Sequence, residues 1–259
     1  MKKPRIRLFA TDLDGTLLGE TAATARFAAA WATLKPGVRP LLVYNTGRTV
    51  EDVRGLVRAG VLPECDYIVG GVGTELFSNL YDYSREFSER FAAGWNLDQI
   101  ECLLREIPAV RPQPSAFCHR FKSSWFWDDA TVADLRALEQ RLAAAAIEAQ
   151  IVYSSQRFLD VLPAQGGKGN ALAWLAQRLG IPLAQVLVAG DTGNDTSMFQ
   201  LADVRGVIVG NALPELRGEA DGPNFHRARL SAADGVVEGL RHFGVLPKIA
   251  GAEASRARG

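Results

Sequence analysis

Residues 8–16 read Leu8-Phe9-Ala10-Thr11-Asp12-Leu13-Asp14-Gly15-Thr16, an apolar run that stops at two aspartates one residue apart. The run predicts a buried strand, and it places two carboxylates at the strand's carboxyl end, where open α/β sheets form their ligand crevice. A strand followed by an Asp-Gly turn accounts for Asp14-Gly15. It does not account for Asp12, whose charge needs water or a partner at the strand end. Asp-x-Asp-Gly-Thr arises by chance in roughly one in three hundred chains of this length at average residue usage.

Outward from this stretch, strand-like and helix-like patterns alternate. Strands are expected at Ile6–Thr11, Leu41–Asn45 and Tyr67–Val69, with helices at Ala22–Leu34 and Thr49–Ala59 between them. The alternation resumes with a helix at Lys168–Leu179, a strand at Val186–Ala189, a short helix at Thr196–Ala202, a strand at Gly206–Gly210 and a helix at Pro214–Gly218. Such alternation implies parallel pairing through crossovers. The intervening stretch differs. It predicts helices at Leu97–Ile107 and Val132–Ala146 and strands within Phe117–Trp127, Ile151–Tyr153 and Phe158–Leu162, forming a second small sheet. The expected organisation is therefore a Rossmann-like α/β core over residues 1–84 and 162–259, with an α+β insert over residues 85–161.

Bulk composition narrows the classes of function. The 259 residues are 47% hydrophobic and 22% charged, with 29 basic against 29 acidic side chains and no net charge. That balance gives no footprint for nucleic acid or an anionic membrane. Apolar stretches fall short of the ~18–20 residues of a membrane span. The basic start runs into Arg7, Asp12 and Asp14, so a signal peptide is not expected. Cys65, Cys102 and Cys118 lie far apart without metal-ligand spacing, which fits a reducing, cytoplasmic setting and small buried hydrophobes. Gly251–Gly259, small and Arg-rich, is expected to be a frayed tail.

Three further motifs fall at expected strand ends or helix starts. Asn45-Thr46-Gly47-Arg48 follows the second strand. Its Thr46 could cap the next helix or donate to a phosphate oxygen, and Gly47 would let the backbone approach that oxygen. Gln165-Gly166-Gly167-Lys168-Gly169 opens a helix with a lysine, which opposes the helix dipole unless an anion sits there. Gly190-Asp191-Thr192-Gly193-Asn194-Asp195 brings two more carboxylates and an amide. Asp12, Asp14, Asp191 and Asp195 together would repel strongly without a cation. An all-oxygen set with no nearby His or Cys points to Mg²⁺.

The four motifs resemble the haloacid-dehalogenase superfamily, whose members mostly hydrolyse phosphate monoesters, and the resemblance spans nearly the whole chain. The insert resembles that superfamily's C2-type cap. Lys122-Ser123-Ser124-Trp125-Phe126, Tyr153-Ser154-Ser155, Asp160-Val161-Leu162-Pro163 and Gly206–Ala212 are similar to the sucrose-phosphate phosphatase group. Gly70-Gly71-Val72-Gly73-Thr74 and Gly210–Leu216 are similar to its mannosylfructose-phosphate branch. Gly15, where sucrose-phosphate enzymes usually carry Asn, favours that branch.

The resemblance implies that Asp12 is the nucleophile and Asp14 the general acid and base. It implies that Thr46, Lys168 and Asn194, with Gly47, hold the phosphoryl oxygens. Mg²⁺ is expected on Asp12, the Asp14 carbonyl and Asp191, with Asp195 orienting Lys168 or a water. The substrate implied is a fructosyl disaccharide phosphate, mannosylfructose phosphate or sucrose 6-phosphate. Lys122, Trp125, Gln156 and Arg157 are candidate sugar contacts. Arg48 and Glu75 stand between substrate contact and ion pairing. Trp127 is expected against the insert's own helices and His119 in a structural role. Other readings are a phosphatase for trehalose 6-phosphate or mannosyl-3-phosphoglycerate, a phosphosugar mutase, and a non-catalytic sugar-phosphate sensor. A glycosyltransferase that makes the ester is a candidate partner.

Overall fold

The computed structural model describes residues 4–248. From β1 (Leu8–Thr11) the chain passes through α1 (Thr21–Ala32), β2 (Leu41–Asn45), α2 (Val50–Arg58) and β3 (Tyr67–Gly70). It then turns back as the antiparallel β4 (Glu75–Phe77) and enters the short α3 (Ser84–Glu89). Next come α4 (Leu97–Arg105), β5 (Arg111–Pro112), β6 (Ser123–Phe126), α5 (Val132–Ala144), β7 (Ala149–Ser154) and β8 (Phe158–Pro163). The return runs through α6 (Lys168–Arg178), β9 (Val186–Gly190), α7 (Thr196–Phe199), β10 (Arg205–Ile208), α8 (Pro214–Glu219), β11 (Phe225–Arg227) and α9 (Ala232–His242).

Two sheets result. The larger has the order β11-β10-β9-β1-β2-β3-β4 and is parallel apart from β4. The smaller, β5-β6-β8-β7, is antiparallel throughout. The central strands β1 and β9 are apolar without alternation and buried along their whole length, because helices cover both faces of a parallel sheet. Phe9, Phe27 and Trp31 knit β1 to α1, each ring pair 5.9 Å apart. Each such buried aromatic contributes roughly 1.5–3 kcal/mol.

Register brings the motifs together. Thr11 lies level with Tyr44 of β2 and Ala189 of β9. Asp12, Asn45-Thr46 and Gly190-Asp191 therefore emerge side by side at one edge. Helix α2 begins directly behind that edge, where the Thr49 side chain accepts the Asp52 N–H.

The smaller sheet obeys a period of two. Trp125, Leu159 and Val161 point to α4 and α5, joining Ile100, Leu104, Leu138 and Leu142 in a separate apolar cluster. Lys122, Ser124 and Asp160 share the opposite side, where their side chains meet one another. Alternation was expected throughout Phe117–Trp127, but only Ser123–Phe126 is strand. Residues before it turn back on themselves, because the Phe117 carbonyl accepts from both Lys122 Nζ and Ser124 Oγ.

Helix α3, the edge strands β4, β5 and β11, and α9 were not foreseen, the strands because two or three residues carry no readable period. Phe87 and Phe91, in the stretch assigned to the insert, pack instead into the core cluster beside Trp174. The tail expected at Gly251–Gly259 lies outside the described residues.

Candidate active site

Asp12 is 5% exposed and Lys168 fully buried, yet both are ionisable. Their pairing explains the burial: Lys168 Nζ donates to Asp12 Oδ1 at 2.6 Å, Asp195 Oδ1 at 2.7 Å and Asn194 Oδ1 at 2.9 Å. Three acceptors match the three protons of an ammonium. Burial alone would lower the lysine's pKa, but Asp12 and Asp195 reverse this and hold it above its ordinary value. The lysine of the Gly-Gly-Lys-Gly motif, unfavourable at a bare helix start, is thus placed by anions.

Asp195 serves two purposes. One oxygen meets Lys168, and the other accepts the N–H groups of Asp191 at 2.9 Å and Thr192 at 3.2 Å. It fixes the loop after β9 and orients the lysine. Asp191 itself accepts from Thr16 Oγ1 at 2.9 Å. Gly15, with φ at +80°, passes so close that a Cβ would lie 2.2 Å from Asp191 Oδ2. Both backbone sign and space therefore require glycine there. Asn211 completes the support, donating to the Gly15 carbonyl at 2.8 Å and accepting the Ala232 N–H at 2.7 Å.

Carboxylate oxygens of Asp12, Asp191 and Asp195 lie within 4.8 Å of one another. Three carboxylates face one ammonium, so the site is short of positive charge. Burial raises the Asp12 pKa well above the ordinary carboxylate range, with repulsion from Asp195 and Asp191 adding to it. Asp191 is pushed up to about 7, first by burial and then by Asp195. Such a set suits a hard divalent cation. Since both Asp195 oxygens are engaged within the chain, Asp12 and Asp191 are the side chains of this set left to bind one.

Asp14 departs from expectation. It does not join the other three carboxylates. It projects outward and is gripped by Arg48, whose Nε and Nη2 donate to its two oxygens at 2.8 and 2.6 Å. Arg48 is thus an ion-pair partner of Asp14 in this structure. Thr46 is fully buried, and its Oγ1 accepts the Arg48 N–H at 3.2 Å, which leaves the hydroxyl proton for another acceptor. Beside it, the Gly47 carbonyl accepts from Lys122 Nζ at 3.3 Å.

The second sheet's side of the molecule hydrogen-bonds to the large sheet's side through Lys122, His119 and Ser155. Lys122 is itself held by the Phe117 carbonyl at 3.1 Å and Asp160 at 3.4 Å. His119 Nε2 lies 2.9 Å from Thr74 Oγ1, and burial together with Lys122 lowers its pKa to about 4. The Ser155 N–H donates to Glu215 Oε1 at 2.9 Å. Glu75 is structural: its Oε2 accepts the Val50 N–H and so caps α2.

One expected sugar contact is corrected. Trp125 is 2% exposed inside the second sheet's own cluster, with Nε1 donating to Ser123 Oγ. It lies three residues from Lys122 and so on the opposite side of the strand. Trp127 shares that cluster, as anticipated. Arg157, half exposed, pairs with Asp128 at 3.3 Å and lies over the Phe126 ring. Gln156 sits at the β7–β8 hairpin tip with φ at +52°.

Thr16, Asn45, Glu215 and Asn211 were not assigned roles from sequence. Asn45 Nδ2 donates to the Lys168 carbonyl at 3.0 Å, tying β2 to the start of α6. Its position next to Thr46 at a strand end was the available signal.

Comparison with known proteins follows the same lines. The sucrose-6F-phosphate phosphohydrolase family profile matches residues 5–244. A mannosylfructose-phosphate phosphatase of Agrobacterium fabrum (strain C58) is 46% identical over 94% of this chain and 99% of its own length. The crystal structure of the sucrose-phosphatase from Synechocystis sp. PCC6803, in complex with sucrose and phosphate, superposes with a TM-score of 0.83 at 31% identity, covering 93% of this chain and 98% of that one. A probable sucrose-phosphatase of Arabidopsis thaliana is 28% identical over 97% of this chain, which spans 63% of that longer protein.

Proposed function

The chain belongs to the sucrose-6F-phosphate phosphohydrolase family of haloacid-dehalogenase-type phosphatases, and we propose that it removes the 6-phosphate from a fructosyl disaccharide. Mannosylfructose phosphate is the favoured substrate, supported by the 46% identity along essentially all of the Agrobacterium enzyme. The observation that carries the chemistry is the buried Asp12 carboxylate held by Lys168 beside Asp191. A sensor or a scaffold would have no use for that costly arrangement.

In the mechanism, Asp12 attacks phosphorus in line, the bond to the sugar oxygen breaks, and an aspartyl phosphate forms. Asp14 gives its proton to the departing sugar oxygen. A water then attacks the aspartyl phosphate and passes a proton to Asp14, releasing inorganic phosphate and regenerating both carboxyl groups. Thr46 meets a non-bridging oxygen where charge gathers in the transition state, and the Lys168 ammonium, kept aimed by Asn194 and Asp195, stabilises that charge electrostatically. The Asp12 and Asp191 carboxylates, with the Asp14 carbonyl, would hold Mg²⁺. When bound, that ion offsets the repulsion between the nucleophile and the phosphate dianion.

The second sheet with α4 and α5 acts as a cap that excludes water and reads the sugar, Lys122 being its deepest cation. The ester arises by glycosyl transfer onto a sugar phosphate, so a glycosyltransferase is the supplier and a candidate partner. No helix among the described residues is long and apolar enough to cross a membrane, and the three cysteines are free. We infer a cytoplasmic enzyme.

The test is phosphate release with Mg²⁺ from mannosylfructose phosphate, sucrose 6-phosphate, trehalose 6-phosphate, mannosyl-3-phosphoglycerate and fructose 6-phosphate. Preference for one fructosyl disaccharide ester is expected, with activity lost to a chelator and restored by Mg²⁺. Uniformly slow release would sink the substrate assignment. A need for a sugar bisphosphate would indicate a mutase instead.

A further inference from the structure

Asp14 must reach the leaving oxygen from an exposed position, and what holds it there is a chain of charges ending on α2. The Asp14 side chain is 59% exposed and that of Arg48 32%. A lone pair so placed would hold its geometry weakly. Arg48, however, has a third strong bond: Nη1 donates to Asp52 Oδ2 at 2.6 Å.

Asp52 is anchored through its main chain, its side chain being 49% exposed. It is the third residue of α2, its N–H is held by the Thr49 cap, and the helix's positive end favours its charge. With Nη1 committed to Asp52, the Nε–Nη2 edge of the planar guanidinium is turned onto Asp14 and grips both its oxygens. The Arg48 N–H is bonded to Thr46 Oγ1, so the same residue is tied to the loop expected to meet the phosphate.

We propose that Asp52 is a positioning residue for proton transfer to the leaving group, acting through Arg48 to fix the Asp14 carboxyl at the mouth of the site. This rests on the reading of Asp14 as the acid. The clamp sets where the two Asp14 oxygens lie at the mouth of the site. Without Asp52 the guanidinium swings free, and Asp14 is left to solvent.

The experiment compares kcat/KM for mannosylfructose phosphate and for p-nitrophenyl phosphate in the full-length protein with Mg²⁺. That ratio reports only steps up to the first departure, so intermediate hydrolysis does not enter. The phenolate leaves without a proton, whereas the sugar oxygen needs one. Asp52→Asn is expected to lower kcat/KM for the sugar ester about tenfold, part of the ~10²–10⁴ available to a general acid. The aryl ester should change less than twofold, and Asp52→Glu should recover part of the loss.

Equal losses on both esters would mean that Asp52 merely supports α2, and no loss on either would mean that the clamp is idle. Each overturns the proposal. Asp14→Asn is the control for the underlying reading, expected to cost the sugar ester far more than the aryl ester. If Asp14→Asn discriminates and Asp52→Asn does not, the role of Asp52 fails alone. If Asp14→Asn hits both esters equally, the acid assignment fails and takes the proposal with it.

Discussion

The catalytic edge of the large sheet and the inward side of the small sheet are both polar, but they are built on opposite terms. At the edge, Asp12, Lys168, Asp191 and Asp195 are buried and matched to partners contributed by three separate stretches of chain. On the cap, Lys122 reaches across to a main-chain carbonyl, and the hairpin tip offers a main-chain N–H. Groups at the edge keep their geometry whatever lies above them. The cap contacts exist only while the two sheets are together. The polar groups are therefore preorganised in one region, while on the proposed function the choice of sugar falls to the other.

The comparison breaks most visibly at the edge. Asp12→Asn removes the proposed nucleophile, and turnover should fall by at least ~10⁴-fold on every ester. Normal phosphate release from that variant would refute the mechanism. Lys168→Met comes next. It deletes a cation from among three carboxylates, so kcat should fall by about 10²–10³-fold. Stability should also drop by roughly 3–5 kcal/mol, as when one member of a buried ion pair is lost. Mg²⁺ should restore part of the melting temperature by supplying positive charge, and a melt insensitive to Mg²⁺ would count against a cation beside Asp12 and Asp191.

How legible each region was in the sequence follows from the same contrast. The edge could be read because each motif ends an apolar strand, and parallel pairing puts strand ends at one level. The small sheet could be read only as a sheet. Its sugar-facing side depends on parity, and Lys122 and Trp125, three residues apart, cannot share a side. Glu215 escaped notice because its partner is a backbone N–H sixty residues away, and no side-chain pattern announces that. Asp14's outward turn likewise rests on Arg48, thirty-four positions on, whose side chain had two plausible uses.

Glu215 offers a smaller test, at the seam between the regions. Ser155 and Gln156, the hairpin tip, both have positive φ, at +54° and +52°. Neither residue favours that conformation, which costs about 1–2 kcal/mol at each. The Glu215 carboxylate holds the tip from the core side. Glu215→Ala should raise KM for the sugar ester about three- to tenfold, the loss expected for one hydrogen bond of ~0.5–1.5 kcal/mol net. Hydrolysis of p-nitrophenyl phosphate, which has no sugar for the cap to grasp, should be altered much less. Equal effects on both would place Glu215 with the catalytic edge.

The smallest kinetic effect is expected at Trp125, and it tests the parity argument directly. Trp125→Phe keeps an aromatic ring among Leu138, Leu142 and Leu159 but shrinks it and removes the N–H bonded to Ser123. The small sheet should lose roughly 1–3 kcal/mol of stability through the partial void and the unpaired hydroxyl. KM should move less than twofold, since the ring faces the small sheet's own helices, away from the side that carries Lys122. Lys122→Met, three residues earlier and on the inward side, should raise KM in the same assay. If Trp125→Phe changed KM as much as Lys122→Met, the strand would not present one side to the sugar, and the division of labour between the two sheets would have to be redrawn.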